Sequence, residues 1–121
     1  MAKKILVIDD DPAITESVKA ILEKENFEVL IANSGDSGLE IVKNENLSLV
    51  LCDMMMEKVD EGSKVTQKIR KIKPDLPVYL LSAIGDATAG NIEIEKLGFN
   101  GVLQKPVSPE YLIQMVKKIV K

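Results

Sequence analysis

Three consecutive carboxylates, Asp9, Asp10 and Asp11, directly follow a short apolar run near the start of the chain. Adjacent acids repel one another, so such a triplet at the end of a buried strand is unfavourable unless a cation neutralises it. A further acid, Asp53, ends a second apolar run. Oxygen ligands without imidazole or thiolate select a hard ion, so these acids predict a site for Mg²⁺ or Mn²⁺.

Two other polar residues follow apolar runs in the same way, Ser82 and Lys105. A hydroxyl and an ammonium group suit the oxygens of a phosphoryl group that a Mg²⁺ ion leaves uncovered. The chain contains 0 histidines, which excludes Ser-His-Asp and Cys-His catalysis and any zinc site built on imidazole. Chemistry at this site must use carboxylates, hydroxyls, lysine or the backbone.

The composition predicts one domain with an aliphatic core. The 121 residues are 45% hydrophobic but only 3% aromatic, and no apolar run approaches the ~18 residues that a membrane span needs. A net charge of −3 argues against direct binding to nucleic acid, which favours a basic surface. Cys52 is the single cysteine, so we expect a buried thiol, no internal disulfide and a reducing, cytoplasmic location.

The elements that must position these residues alternate between strands and helices. Strands are predicted at 3–8, 27–32, 47–53, 77–81 and 101–104. Helices are predicted at about 12–25, 35–45, 62–72 and 86–96, and from Ser108 to the last residue. Caps are expected at Asp11, which precedes Pro12, and at Ser34, with Gly98 as a stop signal. Because the last helix fills the end of the chain, one domain over residues 1–121 is expected.

Five βα units in alternation predict an α/β fold with helices on both faces of a parallel sheet. The flavodoxin-like (βα)5 arrangement is doubly wound, with strand order 2-1-3-4-5. Ligands of such sheets bind beyond the carboxyl ends of the strands, where the strand order reverses. Four of the five predicted strands deliver charged or polar residues to that edge. The second strand ends at Ala32 and Asn33, and this order places it at the outer edge.

Over its whole length the chain resembles the receiver domain of two-component response regulators. Four motifs carry the resemblance, in the family's order and spacing: VIDDDP (7–12), LVLCDMMM (49–56), LLSA (80–83) and LQKP (103–106). The resemblance implies that Asp53 is the phosphoryl acceptor and a Mg²⁺ ligand. It implies that Asp10 binds Mg²⁺ directly, that Asp9 assists through water, and that the backbone carbonyl of Met55 completes the protein's share of the ligands.

The resemblance also assigns the remaining site residues and the partners. Ser82 would bond a phosphoryl oxygen, and Lys105 would pair with the acceptor carboxylate and then with the phosphoryl group. The donor would be a phosphohistidine on a sensor kinase or a histidine phosphotransferase, so the domain would be no enzyme beyond its own phosphorylation and dephosphorylation. Output would reach a downstream protein through the face formed by the fourth predicted helix, the fifth strand and the fifth helix. A cis bond is implied before Pro106, and the oligomeric state is left open.

Two features depart from the family pattern. Many receivers carry proline four residues after the acceptor and glycine eight after it, whereas here Glu57 stands at the first position and Gly62 is nine after. The start of the third helix is therefore uncertain from sequence. Val102 stands where many receivers carry Tyr or Phe on the fifth strand, so signalling through that strand must use another side chain or another face.

Simpler interpretations exist for several residues. Asp11 can be only a helix cap, and the methionines after Asp53 suit packing better than binding of a soft metal. Arg70, Lys71 and Lys73 lie at a helix end, where positive charge complements the helix dipole and needs no partner.

Rival functions for the whole chain make different demands on the sequence. A flavin binder would need a Ser/Thr-rich phosphate loop and stacking aromatics. A haloacid-type phosphatase would need a second Asp where Met55 stands. A degenerate receiver that only binds proteins, or a domain excised from a hybrid kinase or a multidomain regulator, remains an alternative.

Overall fold

Five parallel strands form the centre of the molecule. The computed structural model describes residues 3–53, 59–83, 100–105 and 108–120, with side chains described except at 53, 59–64, 82–83 and 101–105. The strands are β1 (Lys4–Ile8), β2 (Glu28–Ala32), β3 (Leu49–Asp53), β4 (Val78–Ala83) and β5 (Gly101–Lys105). The described helices are α1 (Pro12–Glu23), α2 (Gly35–Asn44), α3 (Val59–Ile72) and α4 (Pro109–Ile119). The predicted helix at 86–96 and the stop signal at Gly98 lie outside the described residues.

The sheet has the order β2-β1-β3-β4-β5, and every neighbouring pair is parallel. This confirms the predicted flavodoxin-like fold. β1 is central, and its residues 5–8 are fully buried, as expected for a strand covered on both faces. β5 is an edge strand that pairs only with β4.

Alternate residues of each central strand enter two separate hydrophobic clusters, one on each face of the sheet. Leu6 and Ile8 of β1 pack with residues of α2 and α3. Ile5 and Val7 pack with residues of α1 and α4. Cys52 is a fully buried thiol in the first cluster, as predicted. The helices therefore form two layers, α2 with α3 and α1 with α4.

Side-chain caps begin three of the described helices as the sequence predicts. An Asp11 carboxylate oxygen accepts a hydrogen bond from the Ala13 amide at 3.0 Å, with Pro12 at the first helical position. The Ser34 hydroxyl accepts from the Ser37 amide at 3.2 Å. The Ser108 hydroxyl accepts from the Tyr111 amide at 3.2 Å. Each bond satisfies one of the amide groups that a helix leaves free in its first turn.

Several element boundaries differ from the prediction by one to three residues, most clearly the start of α3, the end of β4 and the end of the last helix. α3 begins at Val59, three residues before the predicted start, and it includes Gly62. β4 continues to Ala83, so Ser82 lies inside the strand. α4 ends at Ile119, with Val120 as its C-cap, so the helix stops before the last residue.

The end of α3 also corrects the prediction that Arg70 needs no partner. One guanidinium nitrogen, Nη1, donates to the carbonyl oxygens of Pro74 at 3.1 Å and Leu76 at 2.9 Å. The other, Nη2, donates to the side-chain oxygen of Asn100. The prediction considered only the helix dipole, but the fork of the guanidinium group can serve several acceptors at once. Arg70 therefore joins α3 to the α3–β4 connection and to the residue before β5.

A salt bridge joins the beginning of β1 to the end of α2, at the end of the sheet where the strands begin. Lys4 Nζ donates to Glu45 Oε1 at 2.7 Å. This hydrogen bond and the charge of Glu45 raise the pKa of Lys4 above its ordinary value. Because the folded-state pKa is raised, the stabilisation is complete below the ordinary lysine pKa and is lost as the pH rises through the folded value.

Candidate functional site

The acids of β1 and β3 end two adjacent strands at the same level. In the register of these strands, Ile8 is the partner of Cys52. Asp9 and Asp53 each come one residue later, so the pairing continued by one residue sets them opposite one another. The Asp9 amide also donates to the Ala32 carbonyl oxygen at 3.0 Å, which holds the end of β1 against β2. Neighbouring strands are about 4.8 Å apart, so the two backbones lie side by side at the predicted switch point.

The three consecutive acids occupy three different environments. Asp9 is buried, with 1% of its surface exposed, and its Oδ1 accepts a hydrogen bond from the Asp11 amide at 3.0 Å. Asp10 is exposed. Asp11 caps α1, as the simpler interpretation expected. The turn therefore separates the charges of the triplet by direction: one carboxylate is turned into the protein, one into solvent and one onto a helix end.

β4 and β5 bring the backbones of Ser82 and Lys105 to the same edge. Asp53 is the register partner of Leu81, and Leu81 is the partner of Leu103. Ser82 is therefore one residue beyond the level of Asp53. Lys105, which is the partner of Ala83, is two residues beyond it. The chain thus gathers an acid, a hydroxyl residue and a lysine on three consecutive strands.

Other residues of the predicted site lie outside the described part of the chain. These are Met55, Glu57 and Pro106. Val102 lies on β5 as the register partner of Leu80, at the position that the sequence predicted. Its side chain, like those of Asp53, Ser82 and Lys105, is not described.

The donor set at this edge suits a hard divalent cation. A buried carboxylate at Asp9 lies beside an exposed one at Asp10, and Asp53 is on the adjacent strand. Residues 3–53, 59–83, 100–105 and 108–120 contain no group of three or more His, Cys, Asp or Glu side chains placed to hold a metal. The Asp53 side chain is not part of that set. Two described carboxylates, both oxygen ligands, agree with Mg²⁺ better than with a soft metal.

Sequence reasoning missed Arg70 and Asn100 as a contacting pair. They are separated by 30 residues along the chain, and neither belongs to a motif. A local pattern could not have found them, because the contact depends on how α3 and β5 are placed by the sheet. The only hint in the sequence was a polar residue, Asn100, immediately before the fifth apolar run.

None of the described helices is long and apolar enough to cross a membrane.

Comparison with known proteins identifies the family. A family model described as response regulator receiver domain matches residues 5–117. The probable transcriptional regulator ycf27 of Cyanophora paradoxa is 36% identical over 119 residues, which are 98% of this chain and 48% of that protein. The transcriptional regulatory protein SrrA of Staphylococcus aureus is 31% identical over 121 residues, which are 100% of this chain and 49% of that protein. The chain thus spans about half the length of the curated relatives it matches.

A solved structure supports the same assignment. The CheY-like response regulator receiver domain protein of Methanospirillum hungatei superposes with a TM-score of 0.86 at 30% identity, over 99% of this chain and 94% of that one. The parallel sheet, the order of its strands and the four motifs agree with this relationship. This chain belongs to the response regulator receiver domain family.

Proposed function

We propose that Asp53 is the residue of this receiver domain that accepts the phosphoryl group, in a reaction that depends on Mg²⁺. Receiver domains act as phosphoryl acceptors, are partners of histidine kinases and generally bind Mg²⁺ at an acidic pocket. The observation that carries the assignment is the register of β1 and β3, which sets Asp53 opposite the buried Asp9. Of the two described strands that neighbour β1, only β3 ends in an acid, because β2 ends at Ala32.

The proposed reaction transfers one phosphoryl group from nitrogen to oxygen. A carboxylate oxygen of Asp53 forms a bond to phosphorus while the bond from phosphorus to the donor's histidine nitrogen breaks. The nitrogen keeps the electron pair, and the product is an acyl phosphate on Asp53. Because this chain has 0 histidines, the phosphohistidine of the donor lies outside these 121 residues.

The other residues position charge around the transferred group. Asp10 and Asp9 would hold Mg²⁺ together with Asp53 and the backbone carbonyl of Met55. When bound, the ion neutralises negative charge on the carboxylates and the phosphoryl oxygens. Ser82 would donate its hydroxyl hydrogen to one phosphoryl oxygen, and Lys105 would pair with another. Catalysis of this kind rests on positioning and electrostatics, so the domain would phosphorylate and dephosphorylate itself without being a conventional enzyme.

The proposed output is a change in protein contacts. The proposed contact surface is the one that the sequence predicts, made by the predicted helix at 86–96, β5 and α4; Ser82 precedes this part of the chain and Lys105 ends β5. The net charge of −3 suits contact with a protein better than direct contact with nucleic acid. We propose one receiver unit over residues 1–121. A cytoplasmic location fits the single buried thiol.

The test uses acetyl phosphate as a small-molecule donor and intact mass spectrometry as the readout. With Mg²⁺ the protein should gain the mass of one phosphoryl group, and excess EDTA should prevent it. Asp53→Asn should abolish the modification, whereas Asp36→Asn, which removes an acid on α2, should not. Modification that persists in Asp53→Asn would rule out Asp53 as the acceptor. No modification of the wild type by acetyl phosphate or a phosphorylated kinase would favour a receiver that binds proteins without phosphorylation.

A further inference from the structure

Asn100 joins the beginning of β5 to the beginning of β4 through two hydrogen bonds. Its backbone amide donates to the Val78 carbonyl oxygen at 2.7 Å. Its side-chain oxygen accepts from the Val78 amide at 2.9 Å. Asn100 thereby engages both backbone groups of one residue and extends the pairing of the two strands beyond Gly101, whose register partner is Tyr79.

Arg70 holds the side chain of Asn100 in this position. Its guanidinium group donates to the same Asn100 oxygen, and also to the carbonyl oxygens of Pro74 and Leu76. An amide nitrogen cannot accept hydrogen bonds, so both the arginine and the Val78 amide require the oxygen of Asn100 at this point. The arginine therefore fixes which way the amide faces, and it anchors Asn100 to the end of α3.

The register of β5 needs such an anchor more than that of the three inner strands, each of which is held by two neighbours. β5 lies at the edge of the sheet and pairs with β4 alone. Parallel strands are never joined by a tight turn, so no turn sets the alignment of β5 on β4. The strand has only 5 residues, and a slip by one residue would move each of them along β4 by about 3.3 Å and reverse the side to which it points.

We propose that Arg70 and Asn100 are positioning residues for phosphoryl transfer. By fixing the register of β5 on β4, they set Lys105 at the level of Ala83, the residue after Ser82, with β4 between it and the strand that ends at Asp53. This inference rests on the proposed role of Lys105. The pair acts at a distance, because Asn100 and Lys105 are at opposite ends of β5, separated by roughly 16 Å at ~3.3 Å per residue. Misplacing a group at a reacting centre by about 1 Å can cost on the order of 10²-fold in rate.

The main experiment compares phosphorylation rates with acetyl phosphate in Mg²⁺ buffer. Asn100→Ala removes the side-chain bonds to Val78 and Arg70 and should slow phosphorylation about tenfold or more, towards the rate of Lys105→Ala. The affinity for Mg²⁺ should stay unchanged, because the metal ligands are on β1, β3 and the residues that follow them. A merely structural role would lower the melting temperature without changing the rate at a temperature where every variant is folded.

Three further variants separate positioning from general loss of stability. Asn100→Asp keeps the accepting oxygen and should retain a rate close to that of the wild type. Glu45→Ala removes the salt bridge to Lys4 at the same edge of the sheet and should lower stability without slowing phosphorylation. Arg70→Met leaves Asn100 in place and should give an intermediate rate. It also supplies the measurement if Asn100→Ala does not fold.

A double-mutant cycle decides whether the effect passes through Lys105. In the Lys105→Ala background, Asn100→Ala should cause little further loss of rate. The positioning role would be overturned if the two losses of rate were fully additive. It would also be overturned if folded Asn100→Ala kept the wild-type rate while Lys105→Ala was slow. Either result would leave the proposed function intact. A wild-type rate for Lys105→Ala would instead remove the proposed role of Lys105, and the inference with it.

Discussion

At the scale of single residues, three adjacent aspartates have three different tasks. Asp9 is buried and accepts the Asp11 amide at 3.0 Å, so its charge is partly balanced by the turn. Asp10 is exposed and is free to turn towards a cation. Asp11 caps α1. A run of like charges is tolerated here because the turn sends the three carboxylates in different directions.

The cap can be tested separately from the metal site. Asp11→Ala should lower the free energy of unfolding by about 1 kcal/mol, because it removes the bond to the Ala13 amide. Asp11→Asn keeps an accepting oxygen and should cost less. Urea unfolding measures both effects. Neither variant should weaken Mg²⁺ binding by as much as Asp10→Asn. An equal loss would place Asp11 among the ligands.

Sequence alone predicted the residues whose role is local. Caps at Asp11, Ser34 and Ser108 can be recognised because the capping group and the amide it serves are two or three residues apart. The Arg70–Asn100 contact could not be predicted, because it joins residues separated by 30 positions.

At the scale of elements, α2 approaches the sheet closely through glycine. A Cβ atom added at Gly38 would lie 2.6 Å from Cδ1 of Ile8 and 3.6 Å from Cβ of Ala32. Both neighbours are buried, so neither can move freely. The absence of a side chain at Gly38 thus sets the distance between α2 and the end of β1, which leads into Asp9.

Gly38→Ala should destabilise the protein although alanine favours helices. The gain in helix propensity is up to ~1 kcal/mol, whereas overpacking a core typically costs about 1–3 kcal/mol. With the full gain in propensity, these two terms leave a net loss of up to roughly 2 kcal/mol, which urea unfolding measures. Ile8→Val removes the clashing Cδ1 atom and is the matched second change. The double variant should lose less free energy of unfolding than the sum of the losses in the two single variants. A loss equal to that sum would contradict the proposed clash.

Apolar runs predicted all five strands, because strands buried on both faces contain few polar residues. The start of α3 was predicted too late, at 62 rather than Val59. The sequence predicts the helix to begin at Gly62, yet this glycine lies inside the helix. Packing of later residues such as Val65 and Ile69, both buried, outweighs the poor propensity of one glycine.

At the scale of the whole molecule, the fold was predictable and the site only in part. Alternation of apolar runs and amphipathic segments determines the (βα)5 class, and the strand order follows from few alternatives. The convergence of Asp9 and Asp53 followed from that order, because the carboxyl ends of parallel strands share one edge. The different environments of Asp9 and Asp10 did not follow, since they depend on the turn after β1.

Binding of Mg²⁺ should stabilise the whole domain. A free ion at 100 times its dissociation constant adds about 2.7 kcal/mol if it binds only the folded state. Asp10→Asn should raise the stability of the metal-free protein by removing one crowded charge, and it should abolish most of the gain from Mg²⁺. Thermal melts with and without Mg²⁺ measure both effects. An unchanged gain in Asp10→Asn would show that Asp10 is no ligand.

The covered sheet has a consequence for how the surface of this domain can diverge. Residues of α1 and α4 pack against one side of the sheet and those of α2 and α3 against the other, so among the described residues the two layers share no cluster. Changes of free energy in separate layers should then add, because distant sites without shared partners are usually independent. One layer can therefore acquire substitutions that suit a new partner while the other maintains the stability of the domain. Such a molecule can change its binding partner while the carboxyl ends of β1 and β3, which lead to Asp9 and Asp53, stay unchanged.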